Sequence, residues 1–212
     1  MEQLEGLQPL LLAGGLSSRM GTPKHLLPFK DAEPLYMHLL RQLQEACPKA
    51  KSAFISVRDP QQMSELIAVP GLATEILHDG AWHKEQYRQG PDIGPAAGLL
   101  AAHKHSPHSY WLVLACDYPL VTAAALLHLK EQFEEPLTCF ENEEGFVEPL
   151  IAIWSPAALR QLEENVRHGI TGPARAVKML GGKAISPLEP RTLMNTNTKE
   201  EWDKAMELAG II

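Results

Sequence analysis

The chain has 212 residues, 45% hydrophobic and 21% charged, enough to bury a core as one domain without covalent staples. Its formal net charge of −7 argues against general nucleic-acid binding, which needs a basic face, yet leaves room for a small polyanion at a local cluster of cations. Cys47, Cys116 and Cys139 are odd in number and far apart, which argues against a disulfide framework and predicts a reducing, cytoplasmic home.

In chain order, MEQLEGLQPLLLAGG has no basic n-region, and its apolar run is only about six residues, so neither a signal peptide nor a membrane span is expected. Pro9–Ala13 reads as the first strand. It opens into Leu11–Lys24, LLAGGLSSRMGTPK, a glycine-rich polar turn carrying Arg19 and Lys24. Glycines let backbone N–H groups approach an anion, and the two cations neutralise it. Pro34–Ala46 is predicted as a helix with Leu35, Leu39, Leu40 and Leu43 on one face. Ala53–Val57 is a strand, Asp59-Pro60 starts a short helix to about Ile67, and Thr74–Leu77 is a strand. His78–Asp92 reads as a long loop, and long loops in compact domains often carry function. Pro95–His103 is a small-residue helix, and Tyr110–Ala115 a continuously apolar strand, expected to be central in a parallel sheet covered on both faces. Thr122–Phe133 is a helix, Leu137–Phe140 and Val147–Trp154 are strands, and Ser155-Pro156 caps a helix to about Val166. A loop His168–Pro173, a helix Ala174–Leu180 and a short strand near Ala184–Ser186 follow. Thr198 and Glu201 form a capping box for the last helix. Strand–loop–helix repetition predicts a doubly wound α/β sheet, with ligands beyond the carboxyl ends of its strands.

The glycine loop is not a phosphate loop of the Gly-Lys-Ser/Thr type, since no such triplet closes it. It lacks G-x-G-x-x-G, and Arg19 occupies the closing glycine position of G-x-S-x-G. Asp117, one residue past the apolar strand, suits Mg²⁺, which uses few carboxylates plus substrate phosphates; it could instead cap the following helix. Asp79 could hydrogen-bond a base or ribose, or serve a turn. Asn195 and Asn197 could reach metal or substrate, or bond backbone in a turn. His103, His105 and His108 fit no zinc spacing and read as a solvated helix end, and Cys116 reads as a buried strand-end thiol.

Leu12-Ala-Gly-Gly-Leu-Ser-Ser-Arg-Met-Gly-Thr-Pro-Lys24 resembles the loop signature of the nucleotidyltransferases that make molybdopterin dinucleotides. Gly94-Pro-Ala-Ala-Gly98, Cys116-Asp-Tyr-Pro119 and Asn195-Thr-Asn-Thr198 with Glu200-Glu201 resemble that family's later motifs, in the same order along nearly the whole chain. The resemblance implies a three-layer α/β/α sandwich with a Rossmann-like, mostly parallel sheet, similar to nucleotide-diphospho-sugar transferases. It implies a single domain over 1–212, with about 1–120 binding NTP and about 121–212 the acceptor, especially Phe146–Pro149 and His168–Arg175. The implied reaction moves an NMP from NTP to the terminal phosphate of molybdopterin and releases pyrophosphate.

By position, Leu12, Ala13, Gly14 and Gly15 would contact the nucleotide, Lys24 its phosphates, Asp79 the nucleoside, and Asp117 the Mg²⁺ cofactor. Arg19 and Lys24 would hold the leaving phosphates. Ser56 stands where the family often has an Asn, which leaves the base contact there open. Gly14-Gly15 and the Asn195–Asn197 ending resemble the guanylyltransferase branch and favour GTP, whereas Thr22-Pro23-Lys24 resembles the CTP-using branch. The family setting implies contact with proteins that insert or deliver the cofactor. The same residues would also serve transfer to a sugar phosphate; a non-catalytic nucleotide-binding adaptor is the reading least compatible with Arg19, Lys24 and Asp117 together.

Overall fold

The computed structural model describes residues 4–15, 21–58, 60–79 and 92–211. The strands are β1 (Gln8–Leu12), β2 (Ala53–Val57), β3 (Thr74–His78), β4 (Trp111–Ala115), β5 (Leu137–Glu141), β6 (Val147–Trp154) and β7 (Lys183–Ile185). The helices are α1 (Leu35–Ala46), α2 (Pro60–Glu65), α3 (Ala96–His105), α4 (Ala123–Glu131), α5 (Pro156–Arg167), α6 (Pro173–Leu180) and α7 (Lys199–Leu208). Short 3₁₀ turns cover Lys24–Leu26, Lys30–Ala32 and Pro190–Leu193.

One sheet runs through the molecule in the order β3-β2-β1-β4-β6-β5-β7. β3, β2, β1 and β4 are parallel, β6 is antiparallel to both neighbours, and β7 is parallel to β5. β4 is thus central and fully buried, as its apolar run implies, but only its β1 side is parallel. α1 packs with α4 on one face of the sheet, and α3 packs with α5 on the other. Burying each large side chain of this core, such as Leu10, Leu39 or Ile153, contributes about 1.5–3 kcal/mol.

Local signals set the helix ends. Thr122 Oγ1 accepts from Ala125 N at 3.2 Å, and Ser155 Oγ accepts from Ala158 N at 3.2 Å with Pro156 in the first turn. The Thr198–Glu201 capping box forms in both directions. Gly181 ends α6 at φ +63, a conformation that favours glycine.

β1 feeds β2 and β3 on one side, and the chain then crosses to β4 on the other side of β1. The gap between the carboxyl ends of β1 and β4 is therefore the switch point, where an open α/β sheet leaves a crevice.

Of the three histidines at the end of α3, His103 departs from the solvated reading. His103 is buried on α3, its pKa lowered chiefly by burial, and the His105 ring packs 5.1 Å from that of Phe54. His103 sits inward because α3 is sandwiched between the sheet and α5, whereas His105 and His108 are exposed.

His25, 1% exposed beside the Tyr36 ring, is held neutral by burial, with its pKa down at about 4. A depressed pKa means that its stabilisation is complete above pH 6.5 and is lost as pH falls toward 4. Urea unfolding at pH 7 and pH 4.5 is expected to show about 2 kcal/mol less of this loss in His25→Leu than in the parent chain.

Candidate functional site

β1 ends at Leu12, and its ladder runs one step further on each side. Ala13 N donates to Ser56 O at 2.8 Å, and Cys116 N donates to Leu12 O at 3.0 Å. These bonds pin the start of the glycine loop between β2 and β4. Gly14 has no room for a side chain, because a Cβ there would lie 2.8 Å from Asp79 Oδ2 and 3.3 Å from Arg58 N. Gly98 lets α3 sit close on the sheet, since a Cβ would meet Leu12 Cδ2 at 2.6 Å and Ser56 Oγ at 2.9 Å. The cleft beyond these strand ends is lined by Gly14, Gly15, Asp79, Gly94, Asp117 and Leu150.

Asp79 follows β3 directly and is buried. Ser56 Oγ donates to Asp79 Oδ2 at 3.1 Å, while buried Oδ1 has no hydrogen-bond partner among the described residues. Burial pushes the Asp79 carboxyl pKa up, and the Ser56 bond only partly offsets this. Asp79 thus lines the cleft, and Ser56 holds its carboxyl there. At the rim Arg58 pairs with Asp92 at 2.7 Å, and Asp92 Oδ1 accepts from Gly94 N at 2.9 Å.

The charged centre lies at the end of β4. Lys24 Nζ is 3.0 Å from Asp117 Oδ1 and donates to Asn197 Oδ1 at 2.9 Å. Lys24 is 7% exposed, whereas 34% of the Asp117 side chain remains accessible. Asp117 does not cap the next helix, since Thr122 does. Asn197 Nδ2 donates to Asn195 Oδ1 at 2.7 Å, so the two asparagines bond side chain to side chain. Thr196 ties their segment to the strand end, with its N and Oγ1 donating to Asp117 O at 2.9 and 3.2 Å. Glu201 braces the far side by accepting from Asn197 N and Thr198 N at 2.6 and 2.9 Å, bonds that hold its carboxyl below the usual range.

The structure thus gathers Leu12, Ala13, Gly14, Gly15, Lys24, Ser56, Asp79, Asp117, Asn195 and Asn197 at one end of the sheet. Arg19 and most of the His78–Asp92 loop lie outside the described residues. Cys116 is a buried thiol with its pKa raised by burial, as its place at a strand end implies. Tyr118 and Glu148 are missing from the sequence-based site, although both lie inside stretches that it singles out; the Tyr118 hydroxyl donates to Glu148 Oε2. No spacing rule links residues on neighbouring antiparallel elements.

Among the described residues no group of three or more His, Cys, Asp or Glu could hold a metal by itself. A lone accessible carboxylate fits Mg²⁺, which keeps waters and shares its shell with substrate phosphates, and fits a caged metal poorly. Asp117 would hold such an ion.

Residues 9–184 match the family model described as MobA-like NTP transferase domain. The chain is 28% identical over 200 residues to the molybdenum cofactor biosynthesis bifunctional protein of Synechocystis sp., covering 92% of this chain and 52% of that protein. It therefore spans about half the length of that relative. It is 32% identical over 198 residues to the molybdenum cofactor guanylyltransferase of Pseudomonas fluorescens SBW25, covering 90% of this chain and 89% of that one. In fold it is similar to molybdopterin-guanine dinucleotide biosynthesis protein A of Archaeoglobus fulgidus, with TM-score 0.70 at 20% identity, covering 97% and 100% of the two chains.

Proposed function

The chain belongs to the MobA-like NTP transferase family and is a nucleotidyltransferase, and from that premise we propose that it transfers GMP from GTP to the terminal phosphate of molybdopterin, with Mg²⁺ bound and pyrophosphate released. The observation carrying the GTP choice is the buried Asp79 carboxylate beside Gly14; its Oδ1 has no hydrogen-bond partner among the described residues. A carboxylate accepts only, and a buried acceptor without a donor costs about 1–3 kcal/mol. Guanine offers two adjacent donors, N1–H and the 2-amino group. Cytosine offers one amino group beside an acceptor nitrogen that a carboxylate would repel. An alanine at position 14 would push into the carboxylate that reads the base.

Leu12, Ala13 and Gly15 line the base and ribose, and Arg19 and Lys24 take the phosphates that leave as pyrophosphate. Asp117 holds the Mg²⁺, whose charge favours phosphoryl chemistry when it is bound. The acceptor phosphate monoester, with its second pKa near 6, is already largely a dianion at neutral pH and needs no general base. Lys24, held from two sides by Asp117 and Asn197, meets the incoming charge without reorganising. Residues 1–212 act as one domain, an NTP half of about 1–120 and an acceptor half of about 121–212, since one sheet crosses both. No described helix is long and apolar enough to cross a membrane. Three buried free cysteines suit a cytoplasmic enzyme. Delivery or insertion proteins for the cofactor are its expected transient partners.

The test is pyrophosphate release with Mg²⁺, molybdopterin and each NTP in turn. Release with GTP is expected; release with CTP alone overturns the guanylyl assignment, and release with none sinks the reaction. Asp79→Asn replaces one acceptor by a donor, so KM for GTP is expected to rise about 10- to 100-fold, with CTP turnover not falling in step. An unchanged KM for GTP would remove Asp79 from base recognition.

A further inference from the structure

A line of hydrogen bonds leads away from the charged centre toward the acceptor half. Lys24 Nζ donates to Asn197 Oδ1, and Asn197 Nδ2 donates to Asn195 Oδ1. Asn195 lies beside Tyr118, whose hydroxyl donates to Glu148 Oε2. The donors point from the buried Lys24 ammonium through Asn197 to Asn195, and from Tyr118 beside it to a carboxylate on β6. Such a chain polarises itself and fixes each amide orientation. The Tyr118 ring is buried, so it aims Glu148 rather than facing a ligand itself. Glu148 is half-buried, and Leu150, two residues on, lines the cleft beside Asp117. Two residues before, Phe146 leaves its ring 62% exposed where the β5–β6 hairpin turns.

A carboxylate here repels a phosphate, so it must face the part of the acceptor that is not anionic. Tyr118 takes Oε2 and leaves Oε1 for a ligand. We infer that Glu148 recognises the pterin ring of the acceptor, accepting hydrogen bonds from its N3–H and 2-amino group, with Phe146 offering a face for the ring and Tyr118 as the positioning residue. This rests on molybdopterin being the acceptor. Guanine carries the same pair of donors, so the nucleotide is the competing source. Asp79 and Glu148 belong to opposite flanks of β1 and β4, however, and four strand spacings separate β3 from β6, roughly 15–20 Å. One base cannot use both. The two carboxylates read the same chemical edge on two different substrates, with the phosphates meeting between them at Asp117.

Glu148→Gln keeps the acceptor for Tyr118 and removes the charge, so it separates these possibilities. KM for molybdopterin is expected to rise tenfold or more, with KM for GTP changed less than twofold. Tyr118→Phe should shift the acceptor KM in the same direction by less. Independently of turnover, 6-carboxypterin binding followed by its own fluorescence should weaken at least fivefold in Glu148→Gln. 6-Carboxylumazine, which has an oxo group in place of the 2-amino group, should bind the parent and the variant alike. Equal pterin binding by parent and variant overturns the assignment. So does a GTP KM that rises while pterin binding holds, which would give Glu148 to the nucleotide. A parent chain that binds pterin through Glu148 yet releases no pyrophosphate with any NTP would sink the proposed reaction and leave the pterin site standing.

Discussion

Asp117→Ala is expected to lower kcat/KM about a thousandfold, ~4 kcal/mol of barrier, while the chain stays folded. The carboxylate is the accessible oxygen donor at the end of β4 and the proposed Mg²⁺ ligand. Its loss removes the metal's anchor and one of the groups that hold Lys24. The fold tolerates the change because Thr196 bonds the backbone carbonyl of Asp117, not its side chain. The ammonium left behind is buried with less counter-charge, a cost reduced by the third of the Asp117 side chain that water reaches, so about 1–2 kcal/mol of stability is expected to go. Turnover against Mg²⁺ concentration and a thermal melt check both halves. Activity within tenfold of the parent at saturating Mg²⁺ would remove Asp117 from the metal site.

Lys24→Met is expected to cost about a hundredfold in kcat/KM, ~3 kcal/mol. Methionine fills the stem's buried volume, so packing is kept and the charge alone is lost. Lys24→Arg should not rescue it, because a planar guanidinium needs a wider slot than this nearly closed one. Asp117 and Lys24 touch, so the double variant should lose less than the product of the two single losses. Strictly multiplicative losses would mean that the ion pair is not a working unit of the site.

Much of the fold is legible in the sequence because its signals are local. The 3.6-residue spacing of Leu35, Leu39 and Leu43 marks α1. Thr122, Ser155 and Thr198 cap helices at the places their side chains suit. The candidate site is legible as residue types: glycines where the backbone must come close, cations for phosphate, and a carboxylate at a strand end. Its reading of His103 as solvated fails because exposure depends on which helix lies over α3.

By itself the sequence determined the alternation of strands and helices, the glycine loop with Lys24 at its close, and the presence of Asp79 and Asp117 just past strand ends. Only the tertiary structure decided what those groups touch. Lys24 meets Asn197 across 173 positions, Ser56 turns out to hold Asp79, and Tyr118 delivers a hydrogen bond to Glu148. The physical reason is range. Helix caps and periodic faces are settled within a few residues of backbone, whereas hydrogen-bond partners at a switch point are settled by strand order, which brings distant segments to the same edge of one sheet.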